Sequence, residues 1–222
     1  MAIVNLLSLR EQVYNYLRDQ MHKGHIMPDV MLNLNEISKI LGVSKTPLRD
    51  ALIRLEAEGF VAIYPRKGVS VNQLTLHDIH DIYQIIGAIE GEVLREIFGS
   101  IKKRHIDKLR SLNAEMRNVL HRQKYYEYYT LNLDFHNVFL QLSKNTSLDR
   151  TLMPLKQRLY DFQFRPYVHA WEDRNCKEHD QIIESIEQGR QEEAIHLLRD
   201  VHWSYSVQEE FIRQFYQASG PV

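Results

Sequence analysis

Glycine and proline crowd the first third of this chain. Gly24, Pro28, Gly42, Pro47, Gly59, Pro65 and Gly68 all precede residue 73, whereas helical patterns run from Leu76 onward with few breakers. Breakers end regular elements, so the first segment must use short elements and the second can use long ones. The change falls at "VNQLTLHD", where Thr75 is an N-cap type with Asp78 three residues on, the spacing of a capping box. Two domains are expected, residues 1–74 and 75–222, which suits a chain of 222 residues.

The first segment reads as three helices and a hairpin. Leu9, Val13, Leu17 and Met21 form one helical stripe. Ile37, Ile40 and Leu41 mark a second helix capped by Asn33 or Asn35, and Leu48, Ala51, Leu52 and Leu55 a third. "FVAIYPRKGVSVNQL" alternates with period two around "PRKG", which predicts strand, turn and strand. Together these make a winged helix-turn-helix.

"LGVSKTPLRDALIRL" carries the chemistry of that segment. Gly42 can adopt the left-handed conformation that ends a helix. Val43 is expected to tuck inward, Ser44 to cap the next helix, and Pro47 to sit in its first turn. With the leucines facing a core, Lys45, Thr46 and Arg49 remain on the exposed N-terminal face. In a helix-turn-helix that face enters the major groove of double-stranded DNA. Arg49 can grip a guanine or a phosphate with two parallel bonds, Lys45 offers a point charge, and Thr46 a hydroxyl and a methyl. Arg66, Lys67 and Gly68 place two cations and a flexible backbone at the hairpin tip. The plain alternative is an amphipathic helix with solvated charges.

Charge distribution agrees with a nucleic-acid partner for the first segment. Residues 1–72 hold nine Lys and Arg against seven Asp and Glu, and residues 73–222 hold nineteen against twenty-two. A lone cysteine, Cys176, forms no internal disulfide and points to a reducing cytoplasm. The apolar start "MAIVNLL" lacks the features of a signal peptide, and no stretch reaches the roughly 20 apolar residues of a membrane span.

The second segment predicts a mainly α, six-helix bundle over roughly 78–98, 102–122, 124–143, 147–169, 172–188 and 190–217. Its last helix carries an apolar seam of Ala194, Leu198, Val201, Tyr205, Gln208, Ile212 and Phe215. "YYEYY" and "KKRH" read as ordinary helix starts, and Cys176 as inert.

"LNLNEISKILGVSKTPLRDALIRLEAEGFVAIYPRKGVSV" resembles the N-terminal domain of GntR-family bacterial transcription regulators. That resemblance implies DNA contacts at Ser44, Lys45, Thr46, Arg49, Arg66, Lys67 and Gly68, with a further phosphate contact at Asn35. Lys45 stands where relatives usually carry arginine, which implies a different operator preference. "LTLHDIHDIYQIIGAIEGEVL", "LDFHNVFLQLSKNTSL" and "EHDQIIESIEQGRQEEAIHLLRDVH" resemble the FCD-type sensing domain of the FadR-like branch, closest to the VanR-like subtype.

Many such domains hold a divalent metal (Zn, Ni or Mn) with one Asp or Asn and three His. Asn132 and His136, at i and i+4, and His179 match the first three positions. The fourth falls on Val201. His202 comes one residue later, about 100° around a regular helix, so only a local bulge or a one-residue shift would bring it in. Ile86 also departs from the pattern, standing where an arginine often reaches a carboxylate effector. The alternative is that His136 and His179 are core histidines bonded to their neighbours.

These readings imply a homodimeric DNA-binding regulator, not an enzyme. Its head would read a palindromic operator as a repressor, and its bundle would dimerise and sense a small metabolite. The rivals are a DNA-binding dimer with a degenerate effector pocket, and a helical-bundle metalloenzyme using His136, His179 and His202.

Overall fold

The computed structural model describes residues 7–160 and 168–217. The chain divides into two compact units, the first containing residues up to Leu74 and the second beginning at Thr75. The end of α7 (Leu148–Tyr160), from Gln157, groups with the first unit.

In the first unit, helices α1 (Leu9–His22), α2 (Leu34–Leu41) and α3 (Lys45–Ala57) precede an antiparallel hairpin of β1 (Val61–Tyr64) and β2 (Gly68–Val71). Val13, Leu17, Met21, Leu48, Leu52 and Leu55 are buried in one core with Phe60 and the hairpin valines. Leu9 and Ile40 leave the expected stripes and are exposed, at 55% and 59%. Leu9 opens its helix and Ile40 faces outward in the last turn of α2, so neither has a core beside it. An element absent from the sequence reading appears at residues 29–32. Leu32 N–H donates to Val69 O at 2.8 Å and Asp29 N–H to Val71 O at 2.9 Å, so this segment covers the free edge of β2.

The expected turn is present between α2 and α3. Gly42 has φ 62°, in the left-handed region. Val43 packs against the core, its N–H donates to Ser38 O, and its carbonyl accepts from Ser38 Oγ at 2.6 Å. Asn33, rather than Asn35, caps α2 through the Glu36 N–H. The expected Ser44 cap is not made: Ser44 occupies the cap position of α3 without a side-chain bond. Elsewhere in this chain Ser8, Asn33 and Thr75 all accept from the amide of the third helical residue. In α3 that residue is Pro47, which has no N–H to give.

The second unit is helical: α4 (Leu76–Ile97), α5 (Lys103–His121), α6 (Tyr125–Leu140), α7, α8 (His169–Glu187), α9 (Gln191–His196) and α10 (Tyr205–Gln217). Thr75 and Asp78 form the expected capping box at the start of α4. α5 packs on α6 and α8, while α4 packs on α6, α9 and α10. The expected break at 165–167 lies outside the described residues, as does part of the helix expected over 147–169, and α8 begins at His169. No described helix is long and apolar enough to cross a membrane.

The single helix expected over 190–217 is instead three pieces. Between α9 and α10, residues Leu197–His202 form a π-helical turn, in which the Trp203 N–H reaches back five residues to Leu198 O at 3.0 Å. Such a turn absorbs one extra residue and rotates the residues beyond it by about 100°. The expected seam therefore fails at its centre. Val201 and Tyr205 are only half-buried, whereas His202 and Trp203 are buried at 5% and 3%.

Candidate functional site

Two groups of side chains are candidates, one in each unit. In the first, Ser44, Lys45, Thr46 and Arg49 are all exposed on the opening turns of α3, and Arg66 and Lys67 are exposed at the hairpin tip. Asn35, Lys45, Arg49, Arg66 and Gly68 line one cleft of about 940 Å³, while Ser44, Thr46 and Lys67 do not line it. Arg66 turns the tip with φ 62°, and Glu56 on α3 accepts the Ile63 N–H at 2.8 Å, fastening the hairpin to the helix. Among the described residues, Lys45, Arg49, Arg66 and Lys67 make no ion pair, unlike Arg54, which is held by Glu58 at 2.8 Å. Their charge is open to an outside anion.

In the second unit, His136 on α6, His179 on α8 and His202 at the end of the π-turn converge. One ligand atom from each lies within 4.8 Å of the others, and all three rings are buried. The π-turn is what adds His202. A regular helix would have presented Val201, and the π-turn is the local bulge that His202 was expected to need.

Each imidazole is held from outside by its Nδ1. His136 Nδ1 meets Glu90 Oε2 at 2.8 Å, His202 Nδ1 meets Glu178 Oε2 at 2.9 Å, and His179 Nδ1 meets Asn113 Oδ1 at 3.3 Å. Carboxylate and amide oxygens only accept, so each Nδ1 carries a proton, and in a neutral ring the lone pair then sits on Nε2. The Nε2 atoms of His136 and His179 are buried without a hydrogen-bond partner. Outer carboxylates that fix the tautomer and orientation are the usual support of a histidine metal ligand.

Charge in this layer is balanced. Glu90 Oε2 also accepts from Trp203 Nε1 at 2.8 Å, and Glu90 Oε1 forms a buried ion pair with Lys156 of α7. Burial alone would raise the Glu90 carboxyl, but His136 and Lys156 outweigh it and hold Glu90 well below the usual range. Burial lowers His136 to about 4 against the pull of Glu90, and it lowers His179 well below the ordinary histidine value. Both imidazoles are therefore neutral near pH 7, the form that can donate a lone pair to a metal. Glu178 is raised by burial, but hydrogen bonds from His202, Arg174 and Gln208 bring it below its usual value.

Asn132 is buried at 2% one helical turn before His136, and Ile86 is fully buried on α4. The donor set of three imidazoles, with an amide oxygen close by in sequence, suits a borderline divalent ion such as zinc or nickel.

Glu90, Asn113, Lys156 and Glu178 are not among the candidates expected from the sequence, and Gln208 is expected there only as part of the apolar seam. A signal was available for some of them. Glu90 stands on the stripe of Ile82, Ile86 and Leu94, and Glu178 on that of Trp171 and Ile182, where a solvated side chain has no place.

The FCD domain family matches residues 81–202, a span that contains all three histidines, and the gntR family of bacterial regulatory proteins matches residues 9–71. The chain belongs to the GntR family. As a GntR-family protein with an FCD domain, it is a DNA-binding transcription regulator. It is 25% identical over 185 residues to the HTH-type transcriptional regulator YdhC of Bacillus subtilis (strain 168), across 82% of this chain and 83% of that one. It is 25% identical over 162 residues to the HTH-type transcriptional repressor RspR of Escherichia coli (strain K12), across 73% and 71% of the two chains. Among solved structures, a GntR transcriptional regulator from Rhodococcus sp. RHA1 matches with a TM-score of 0.73 at 20% identity, over 96% of this chain and 100% of that one. E. coli McbR/YncC matches with 0.71 at 18%, over 96% and 99%. At those identities the two structures speak to the shared fold.

Proposed function

We propose that this GntR-family chain is a homodimeric cytoplasmic repressor whose operator binding is controlled by a metal-assisted metabolite in the FCD domain. In this reading, residues 1–74 form the DNA-binding head and residues 75–222 the sensing and dimerising body. Arg49, Lys45 and Thr46 meet base edges, Ser44 and Asn35 meet phosphate, and Arg66, Lys67 and Gly68 carry the wing onto the backbone or into a minor groove. The repressor sign is supported by the resemblance to RspR.

One observation carries the sensing half: three buried, converging imidazoles with every Nδ1 anchored outward and the Nε2 atoms of His136 and His179 left without a hydrogen-bond partner. His136, His179 and His202 would hold the ion, with Asn132 as an additional oxygen donor. A bound ion supplies a Lewis-acidic centre that can orient an anionic or hydroxylated effector. Effector binding then shifts the population of head orientations away from the spacing of the operator half-sites.

Metal analysis of the purified chain, followed by operator binding with and without a strong chelator, tests the proposal. About one zinc or nickel per chain, lost in a His136→Ala/His179→Ala variant, is the expected result. A chain that takes up neither ion leaves the histidines as bonded core residues and refutes the sensing half.

A further inference from the structure

α4 carries two glycines, Gly87 and Gly91, in the interior of a 22-residue helix. Glycine is disfavoured against alanine in a helix interior, so a packing reason is expected. It lies in the π-turn. A Cβ on Gly87 would stand 3.0 Å from Trp203 Cβ and 3.3 Å from the carbonyl oxygens of Arg199 and Trp203. A Cβ on Gly91 would stand 3.1 Å from Arg199 Cβ. The bulged backbone therefore sits against the one face of α4 that has no side chains.

Gln208, fully buried on α10, holds the other side of the turn. Its Nε2 donates to Val201 O at 3.2 Å and to Glu178 Oε1 and Oε2 at 3.0 and 3.1 Å, while its Oε1 accepts from Trp171 Nε1 at 3.0 Å. One amide thus ties the Val201 carbonyl, within the turn, to the carboxylate that orients His202.

We infer that Gly87, Gly91 and Gln208 are positioning residues for the third imidazole: they hold the π-turn that brings His202, in place of Val201, into the cluster. This rests on the metal reading above for its use, but not for its geometry. A regular helix through 197–202 needs one residue fewer. Deleting Val201 supplies that helix and places the histidine in the vacated position, with α10 left in its packing register.

Zinc affinity, measured by competition with a chromophoric chelator, tests the inference on the full chain. Gly87→Ala is expected to weaken zinc binding by about 10–100-fold, the usual effect of disturbing a ligand's support. Deleting Val201 in that variant restores most of the affinity, because the added methyl no longer faces a bulge. Deleting Val201 from the parent chain, which adds no bulk, keeps zinc binding. Unchanged affinity in Gly87→Ala, no restoration in the double variant, or loss of binding in the parent deletion would each overturn the inference. Imidazole ¹H–¹⁵N spectra of the metal-free protein give a reading that needs no metal. The Nδ1-protonated tautomer of His202 should be present in the parent and depleted in Gly87→Ala. Its full retention there overturns the inference, whereas a parent that binds no zinc overturns only the metal reading.

Discussion

Replacing Glu90 by glutamine tests the electrostatics of the histidine layer with almost no change of shape. Oε2 receives both the His136 Nδ1–H and the Trp203 Nε1–H, so the amide oxygen can take that place and keep both bonds. The amide NH₂ then faces Lys156, which is 1% exposed and has lost its counter-charge. Removing one partner of a buried ion pair costs about 3–5 kcal/mol, mostly through the charge left behind. Both tryptophans, Trp171 and Trp203, lie in the second unit, so their fluorescence follows that unit alone during urea unfolding. With an m-value of about 2–3 kcal/mol/M, the midpoint should fall by about 1–2.5 M at pH 7. Adding Lys156→Met should recover most of the loss. The pH dependence has a defined sign. Glu90 is held below its ordinary value, so its contribution is full above about pH 4.5 and fades as pH falls through the lowered folded value. The gap between parent and Glu90→Gln should therefore close in acid. A loss under about 1 kcal/mol at pH 7, the size of an exposed pair, would refute the reasoning.

Arg49→Ala should lose roughly 1–3 kcal/mol of operator binding and relax sequence preference, whereas Lys67→Ala should weaken all DNA alike and lower the salt slope by about 1; anisotropy titrations at several salt concentrations check both. Cys176 is fully buried and its thiol is pushed up to about 12 by burial. A disulfide reagent should therefore leave the native protein untouched and titrate one thiol after denaturation. Glu172 is raised to about 7 by burial, so its contribution is full below about pH 4.5 and lost as pH rises through 7. The depressed His136 works oppositely, losing stability as pH falls from about 6.5 towards 4. Glu172→Gln removes one of these opposed effects, so metal-free stability should rise more steeply from pH 5 to 7 than in the parent, as urea midpoints will report.

The helix-turn-helix was legible because its determinants are local. Gly42, Val43, Pro47 and the leucines act within a few residues of one another, and a single pass along the chain finds them. Ser44 takes the expected cap position but makes no capping bond, and the reason, Pro47 at the third helical position, stands in the same line of sequence. The histidine cluster was half legible. His136 and His179 lie on regular helices whose period carries their direction. His202 does not, because its direction depends on a π-turn held by α4 and by Gln208. Periodicity within one segment cannot report a bulge that another segment stabilises. Glu90 and Lys156 were lost for a similar reason, since a charged residue reads as solvated until its partner on a distant helix is known.

At the bare start of α3, Ser44 leaves its hydroxyl and the first amides of the helix without a side-chain cap, a lack worth roughly 1 kcal/mol in an ordinary helix. A DNA phosphate is the kind of group that completes such an end. In the proposed head, the start of α3 is then a socket awaiting its plug, and its first turn should exchange amide hydrogens more slowly once the operator is docked. The same vacancy sets the head's thermal resilience against its grip. An aspartate at position 44 would bring its own negative charge to the helix end, steadying the free protein while turning phosphate away.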